Sequence, residues 1–146
     1  MGSRREGREL ALQALYQIDM SGDEDPTRGL ALFWSHFDGG DEAQVFAREL
    51  VAGVRGSQER IDALIRDTAQ HWRLPRLSRV DLNLLRLAAF ELMGRPDIPA
   101  SVTINEAVEI GRRFGGEDSA AFVNGVLDAI ATALGAKERE KPSGTE

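Results

Sequence analysis

Apolar residues recur every three to four positions along most of this chain, the spacing that places side chains on one face of an α-helix. Glycine, proline and polar clusters separate these segments. No segment shows the period-two alternation of a strand. The pattern predicts helices over 9–20, 30–37, 41–56, 58–72, 79–93, 103–114 and 119–134. We therefore predict an all-α fold of about seven helices in two packed small helical bundles.

The segment 79–93 carries apolar residues around most of its circumference, which is typical of a buried helix. We predict that it is the central strut of a single domain, with Ser78 as its N-terminal cap. An N-terminal sub-bundle is expected over about 4–74 and a C-terminal sub-bundle over about 75–135. Residues 136–146 lack an apolar pattern, so we predict a mobile tail.

The C-terminal part of the chain is predicted to hold two helices joined by a tight turn. Thr103 and Glu106 have the spacing of a capping box. Residues 115–116, both glycine, are expected to end the first helix with a positive φ angle. Asp118 or Ser119 is expected to cap the second helix. The turn therefore presents polar residues at an exposed corner.

Three residues inside these helices have low helix propensity and suggest packing roles. Asparagine is disfavoured in helix interiors, so we predict an inter-helix hydrogen bond for Asn105 and for Asn124. Gly125 predicts the close approach of a neighbouring helix. Together these residues are expected to hold the C-terminal helices against each other.

Composition narrows the classes of function. The formal net charge is −6, with a pI near 5.0, which argues against a protein that coats nucleic acid without a partner. Arginine far outnumbers lysine; this suits phosphate contacts, but a GC-rich genome explains it equally well. The chain has no cysteine, and no apolar run approaches the roughly 18 residues of a membrane span. With no secretory signal visible at the N-terminus, we expect a cytoplasmic protein without disulfides.

Catalytic, metal and cofactor sites have little support in the sequence. His36 and His71 lie far apart and lack metal-ligand spacing with any acid. Lysine occurs only at Lys137 and Lys141, so no glycine-rich loop precedes a lysine in the manner of a phosphate-binding loop. Neighbouring acids such as 117–118 are far more often solvated surface than an acid/base pair. We expect no catalytic residue, no metal and no cofactor.

Several short motifs, taken in order over about residues 4–130, resemble the NusB family of bacterial transcription antitermination factors. Each motif is weak alone, but the ordered set is specific. The matching pieces are 8–9, 11–16, 50–54, 61–62, 80–81, 85–92, 98–99, 104–107, 114–115 and 122–128. The resemblance implies two packed three-helix bundles plus one further helix, in agreement with the helix count from periodicity.

The resemblance also implies a function. Members of the family bind a small ribosomal-subunit protein, NusE, and the heterodimer binds the boxA element of nascent RNA. With other Nus factors and RNA polymerase they support antitermination, notably on ribosomal RNA operons. They are adaptors and not enzymes. Two alternatives stay open: a module of the same fold that serves an RNA-modifying enzyme, and a structural helical homodimer.

The family's arginine-rich N-terminus contacts RNA, which assigns this role by resemblance to Arg4, Arg5 and Arg8. We expect these residues on a flexible lead-in to the first helix; if the helix extends back over them, Arg5 and Arg8, three residues apart, share a face. The alternative is a solvated, frayed terminus without a ligand. Glu6 departs from the family, which often has a basic residue here, and an acid between arginines weakens the local positive field.

The resemblance places RNA at the corner as well, on Asp118, Ser119 and Phe122. An aromatic ring near a helix start can stack on an unpaired base, which contributes about 1–3 kcal/mol. The alternative for Phe122 is a core residue of the last helix. Residues 120–121 are alanines where some relatives are basic. The acid at Glu6 between the arginines and the lack of basic residues at the corner predict weak RNA binding without a partner.

Tyr16 and Asp81 match family positions that face the ribosomal protein. A carboxylate suits a basic ribosomal partner, as does the net charge of −6. Asp81 has an equally strong alternative as an acid favoured by the positive end of its helix. The sequence leaves the exact partner contacts, the preferred RNA and the oligomeric state open.

Overall fold

Seven helices and no strand make up the described residues of the computed structural model, which are 3–22, 25–36, 41–69 and 77–136. The predicted all-α fold is therefore confirmed. The helices are α1 (Ser3–Ser21), α2 (Thr27–Ser35), α3 (Asp41–Gly56), α4 (Gln58–Thr68), α5 (Arg79–Gly94), α6 (Ala100–Phe114) and α7 (Ser119–Ala133). The predicted helix ends at Phe37 and Trp72 lie outside the described residues, as does the predicted tail from residue 137.

Helix α5 lies at the centre of the molecule. It packs against α1, α3, α4, α6 and α7, and its side chains from Leu82 to Ala89 are all buried. Its first turn is capped as predicted, because the Asp81 backbone N–H donates to Ser78 Oγ at 3.0 Å. The prediction of a buried central strut is confirmed. Apolar side chains from all seven helices join one continuous core.

The division into two sub-bundles stays a prediction, because its boundary near residues 74–75 lies outside the described residues. At the other predicted boundary, Ala136 is fully buried where the tail was expected to begin. The short turn after α7 therefore packs onto the domain.

A polar network ties α5 to the C-terminal end of α1 and to α4. The Asp19 carboxylate accepts hydrogen bonds from Arg79 at 3.2 Å and from Asn83 at 3.1 Å. Arg86 donates twice to the Asp62 carboxylate, at 2.8 and 3.0 Å. Because Arg86 and Asn83 are buried, these partners satisfy groups that would otherwise be costly to remove from water.

Helices α3 and α5 approach closely where Gly53 faces the ring of Phe90. A Cβ atom at position 53 would overlap that ring, so only glycine fits without movement. The cost in helix propensity of an interior glycine, about 1 kcal/mol, is offset here by close packing. At Gly125 the opposite holds, since a Cβ atom there would meet nothing within 4 Å. The prediction of a close helix approach at Gly125 is wrong.

The predicted capping box at Thr103 and Glu106 is also wrong. Helix α6 begins three residues earlier, at Ala100 after Pro99. Thr103 lies in the helix interior, where its buried hydroxyl donates to Glu91 at 3.2 Å. Thr103 and Glu106 have the spacing of a capping box, but their side chains have other partners. Thr103 contacts Glu91 of α5, and Glu106 contacts Arg5 of α1.

The turn between α6 and α7 differs from the prediction in two respects. Gly115 has a φ of −93°, and the positive φ angles in the described chain belong to Gly22 and Gly135. Gly115 is needed for space instead, since a Cβ atom there would overlap the side chain of Ser119. Asp118 occupies the N-cap position of α7 but makes no side-chain capping bond.

Asn105 and Asn124 lie on exposed helix faces, and neither side chain forms a hydrogen bond within the described residues. The prediction of inter-helix hydrogen bonds is wrong for both. Apolar contacts between α6 and α7, such as those of Ile104, Ala107 and Val123 in the common core, hold the two helices together.

Candidate functional site

The N-terminal arginines belong to α1 itself, because the helix begins at Ser3. The prediction of a flexible lead-in is therefore wrong. Arg4, Arg5 and Arg8 each face a carboxylate from another part of the chain. The three differ strongly in how accessible their guanidinium groups are.

Arg8 lies in the protein interior. Its Nε and Nη2 atoms each donate to the Glu91 carboxylate at 2.8 Å, and the two side chains are 4% and 1% exposed. The guanidinium also lies 5.4 Å from the centroid of the Phe46 ring. Since these contacts enclose it, Arg8 is a structural ion pair between α1 and α5 and does not present a charge to a ligand.

Arg5 is partly accessible but tightly paired. Its Nε and Nη2 atoms donate to the two Glu106 carboxylate oxygens at 2.7 and 2.8 Å, and its side chain is 37% exposed. These hydrogen bonds hold the pKa of Glu106 below its usual range and raise the pKa of Arg5. Arg4 is 54% exposed and lies 3.8 Å from Asp97, so it is the more loosely held of the two.

The corner between α6 and α7 lies against the first turn of α5. Ser119 accepts a hydrogen bond from the Gly116 N–H at 2.9 Å and donates to Asp81 at 2.6 Å. Phe122 is half-buried: it packs on the core and lines a surface pocket of about 350 Å³ at this corner. The pocket is lined by Leu77, Ser78, Asp81, Gly116, Glu117, Asp118, Ser119 and Phe122. Asp81 thus lies with the residues assigned to RNA.

Tyr16 lies elsewhere, in an apolar groove of about 610 Å³ between α1, α2, α5 and α6. Tyr16, Met20 and Phe114 line this groove and are 40%, 58% and 41% exposed, respectively. Val80 of α5 forms part of the floor. Sequence reasoning missed Phe114 and Val80, because only the meeting of three helices places them beside Tyr16. The spacing of Tyr16 and Met20, one helical turn apart, was the available signal.

Arg113 lies between the groove and the N-terminal end of α1, which carries Arg4, Arg5 and Arg8 and is called the arginine end below. It donates to Glu9 at 3.0 Å, and its guanidinium lies 5.0 Å from the centroid of the Phe114 ring. Along α6, Glu106 and Phe114 are about 12 Å apart at 1.5 Å per residue. Helix α6 therefore links the arginine end, at Glu106, to the apolar groove, at Phe114, and the Phe122 corner begins directly after Phe114.

The site is built for binding by charge and shape. Among the described residues, no group of acidic or histidine side chains is arranged to hold a metal ion. Within the same ranges, no helix has the length and apolar character needed to cross a membrane. The surface offers guanidinium groups, an exposed apolar groove and an acidic corner with one aromatic ring.

Comparison with known proteins gives a consistent result. The model of the NusB family matches residues 5–132. A transcription antitermination protein NusB of Myxococcus xanthus is 52% identical over 138 residues, covering 92% of this chain and 98% of the relative. A protein of the same name from Geobacter sp. strain M21 is 49% identical over 146 residues, covering 94% of this chain and all of the relative.

Solved structures agree with the sequence matches. NusB of T. maritima superposes with a TM-score of 0.83 at 39% identity, covering 95% of this chain and 97% of that one. A chain from a crystal structure of antitermination factors NusB and NusE in complex with dsRNA superposes with a TM-score of 0.77 at 28% identity. That match covers 91% of this chain and 98% of the other.

Proposed function

Since this chain belongs to the NusB family of transcription antitermination proteins, we propose that it binds boxA-type RNA together with the small ribosomal-subunit protein NusE. It is an antitermination adaptor and not an enzyme. It acts in the cytoplasm, with other Nus factors and RNA polymerase, in support of ribosomal RNA transcription. The resemblance noted in the sequence is confirmed by the family match.

One observation carries the assignment of surfaces. The exposed apolar groove meets the Phe122 corner at the start of α5, and the helices α1 and α6 that line the groove also carry Arg5 and its partner Glu106. Three large apolar side chains that share one groove and are 40–58% exposed are typical of a protein-binding site. Guanidinium groups and a partly exposed ring are the contacts that unpaired RNA uses.

The RNA contacts that we propose are Arg4 and Arg5 at one end and Asp118 and Phe122 at the other. Ser119 was predicted to be an RNA contact, but it is 4% exposed and its hydroxyl bonds to Gly116 and Asp81, so it supports the corner from within. Arg8 supports this surface by fixing α1 on α5, because its guanidinium is enclosed by Glu91. The proposed RNA surface carries acidic as well as basic groups. This mixture, with the net charge of −6, supports the expectation that RNA binding is weak without a partner.

The partner contacts that we propose are Tyr16 with Met20, Phe114 and Val80 in the groove, and Asp81 at its edge. Val80 lines the groove while its neighbour Asp81 lines the corner pocket, so the two surfaces meet at the start of α5. A partner in the groove therefore lies next to RNA at the corner. Acidic groups at this edge complement a basic ribosomal protein.

The test is a titration of boxA RNA with and without NusE, at several salt concentrations. We expect NusE to increase RNA affinity, and we expect the change of Arg4 and Arg5 to alanine to reduce the salt dependence. Each lost phosphate contact lowers the slope by about 0.7 for single-stranded RNA. No gain in affinity on adding NusE would refute the proposal.

Arg55→Ala is a suitable control for these titrations. Arg55 is exposed in the last turn of α3, whereas Ser3 of α1 contacts Glu42 in the first turn of α3. It therefore lies about 20 Å along α3 from the arginine end, at 1.5 Å per residue. The variant removes one positive charge but should leave the salt dependence of RNA binding unchanged.

A further inference from the structure

Glu106 of α6 is hydrogen-bonded to the guanidinium of Arg5, one of the proposed RNA contacts. Both carboxylate oxygens accept hydrogen bonds, at 2.7 and 2.8 Å. We propose that Glu106 sets the RNA affinity of this protein, because its carboxylate competes with RNA phosphate for Arg5. This inference rests on the function proposed above and concerns the regulation of the same site.

A phosphate can reach the Arg5 guanidinium while Glu106 stays bound to it, so the positive charge of Arg5 remains neutralised. A guanidinium carries five N–H groups, of which Glu106 engages two through Nε and Nη2. The side chain of Arg5 is 37% exposed, so a phosphate can approach the remaining donors from the solvent side. It then meets a guanidinium whose charge is already balanced by a carboxylate on the opposite edge.

Glu106 is held in place as an ion. Its side chain is 23% exposed, and Arg8 lies 3.9 Å away on the inner side. The pKa of Glu106 is lowered, first by the hydrogen bonds from Arg5 and further by the charges of Arg5 and Arg8. The carboxylate therefore stays charged at neutral pH and stays next to Arg5 when RNA arrives.

Arg4 differs in this respect. Its nearest carboxylate, Asp97, lies 3.8 Å away and accepts two hydrogen bonds from Arg95, at 3.0 and 2.9 Å. The acid beside Arg4 thus has a closer partner, whereas the acid beside Arg5 is directed at Arg5 itself. The masking is specific to one arginine of the pair.

The change Glu106→Gln tests the idea, since it keeps the side-chain length and removes the charge. A carboxylate about 7 Å from a bound phosphate lowers affinity about threefold in water. We expect Glu106→Gln to bind boxA RNA about threefold more tightly in the presence of NusE. Circular dichroism should verify that the variant is folded, and Glu106→Asp, which withdraws the carboxylate by one methylene, should show a smaller gain.

Glu109→Gln is the matched control. Glu109 lies one turn further along α6, is 51% exposed and is 3.5 Å from Arg112. The substitution changes the net charge by the same amount but leaves the Arg5 pair intact. We expect a clearly smaller gain in RNA affinity. Glu109 acts on Arg5 through its charge but forms no hydrogen bond with it. Equal gains from both variants would mean that negative charge near Arg5, and not the hydrogen-bonded carboxylate of Glu106, limits RNA affinity, which would overturn the proposal.

A double-mutant cycle separates this inference from the proposed function. Arg5→Ala should cost less RNA affinity in the wild type than in the Glu106→Gln background, where Arg5 is unmasked. If Glu106→Gln binds RNA more weakly, Glu106 positions Arg5 for RNA. That result would overturn the masking proposal but not the proposed RNA-binding function. No effect of Arg5→Ala in either background would instead contradict the assignment of Arg5 to RNA. Failure of NusE to increase wild-type affinity would contradict the function itself.

Discussion

Arg8 and Glu91 are 83 residues apart in the sequence and form two hydrogen bonds of 2.8 Å across the interface of α1 and α5. Both side chains are almost completely buried, and Thr103 donates a further hydrogen bond to the same carboxylate. The pair therefore fixes the helix that carries the proposed RNA contacts onto the central helix of the domain. Removal of this ion pair should lower the stability of the fold more than it lowers RNA affinity.

We expect Arg8→Ala or Glu91→Ala to lower the free energy of unfolding by about 3–5 kcal/mol, because either change leaves a buried charge without its partner. Urea denaturation measures the loss. Arg113→Ala is the control, since its pair with Glu9 is exposed on the arginine side, and such pairs contribute about 0–1 kcal/mol. A small loss for Arg8→Ala with a strong loss of RNA binding would return Arg8 to the RNA site.

The groove predicts a partner-specific defect. Changing Tyr16 or Phe114 to Asp should weaken NusE binding at least about tenfold, because it places a charge in an apolar contact that excludes water. Isothermal titration calorimetry measures the affinity. Val102→Asp is the matched control, since Val102 is similarly exposed (42%) but does not line the groove. Equal defects in all three variants would rule out the groove as the NusE site.

The corner depends on a glycine. Gly115→Ala should lower the free energy of unfolding by about 1–3 kcal/mol, because the new Cβ atom overlaps Ser119 and lies 2.8 Å from the Gly111 carbonyl oxygen. It should also disturb the Ser119–Asp81 hydrogen bond. Gly116→Ala is the neighbouring control, since nothing lies within 4 Å of a Cβ atom there. Thermal denaturation of the two variants should differ clearly, and equal melting temperatures would contradict the tight packing.

The Arg5–Glu106 pair predicts a dependence of stability on pH. The pKa of Glu106 lies below its ordinary value of 4.5 in the folded protein. Such a carboxylate stabilises the fold above the unfolded-state pKa, and this contribution is lost as the pH falls through the folded-state pKa. Below pH about 4.5, wild-type stability should therefore fall more steeply than that of Glu106→Gln. Parallel pH curves from urea denaturation would contradict the coupling.

Periodicity alone predicted the helices and the burial of α5, because both depend on residues close together in the sequence. Ser78 was identified as a cap for the same reason. The capping box at Thr103 and Glu106 failed although its spacing was correct. Distant partners decided the outcome: Thr103 reaches Glu91 on α5, and Glu106 reaches Arg5 on α1.

The candidate site was predicted less completely, for a related reason. A run of arginines indicates positive charge, but the accessibility of each depends on carboxylates 83 to 101 residues away. The groove beside Tyr16 was missed because Phe114 and Val80 reach it from other helices. The Asn105 and Asn124 predictions failed because helix propensity does not reveal which face of a helix is buried.

Helix α1 has one further consequence for the two proposed ligands. Buried or partly buried ion pairs clamp it near both ends, at Arg8 and at Asp19. Arg5 and Tyr16 lie about 16 Å apart along this helix. An increase of RNA affinity by a partner in the groove therefore needs no change in the shape of α1. Effective concentration is sufficient, because each bound molecule holds the other close to a second set of contacts.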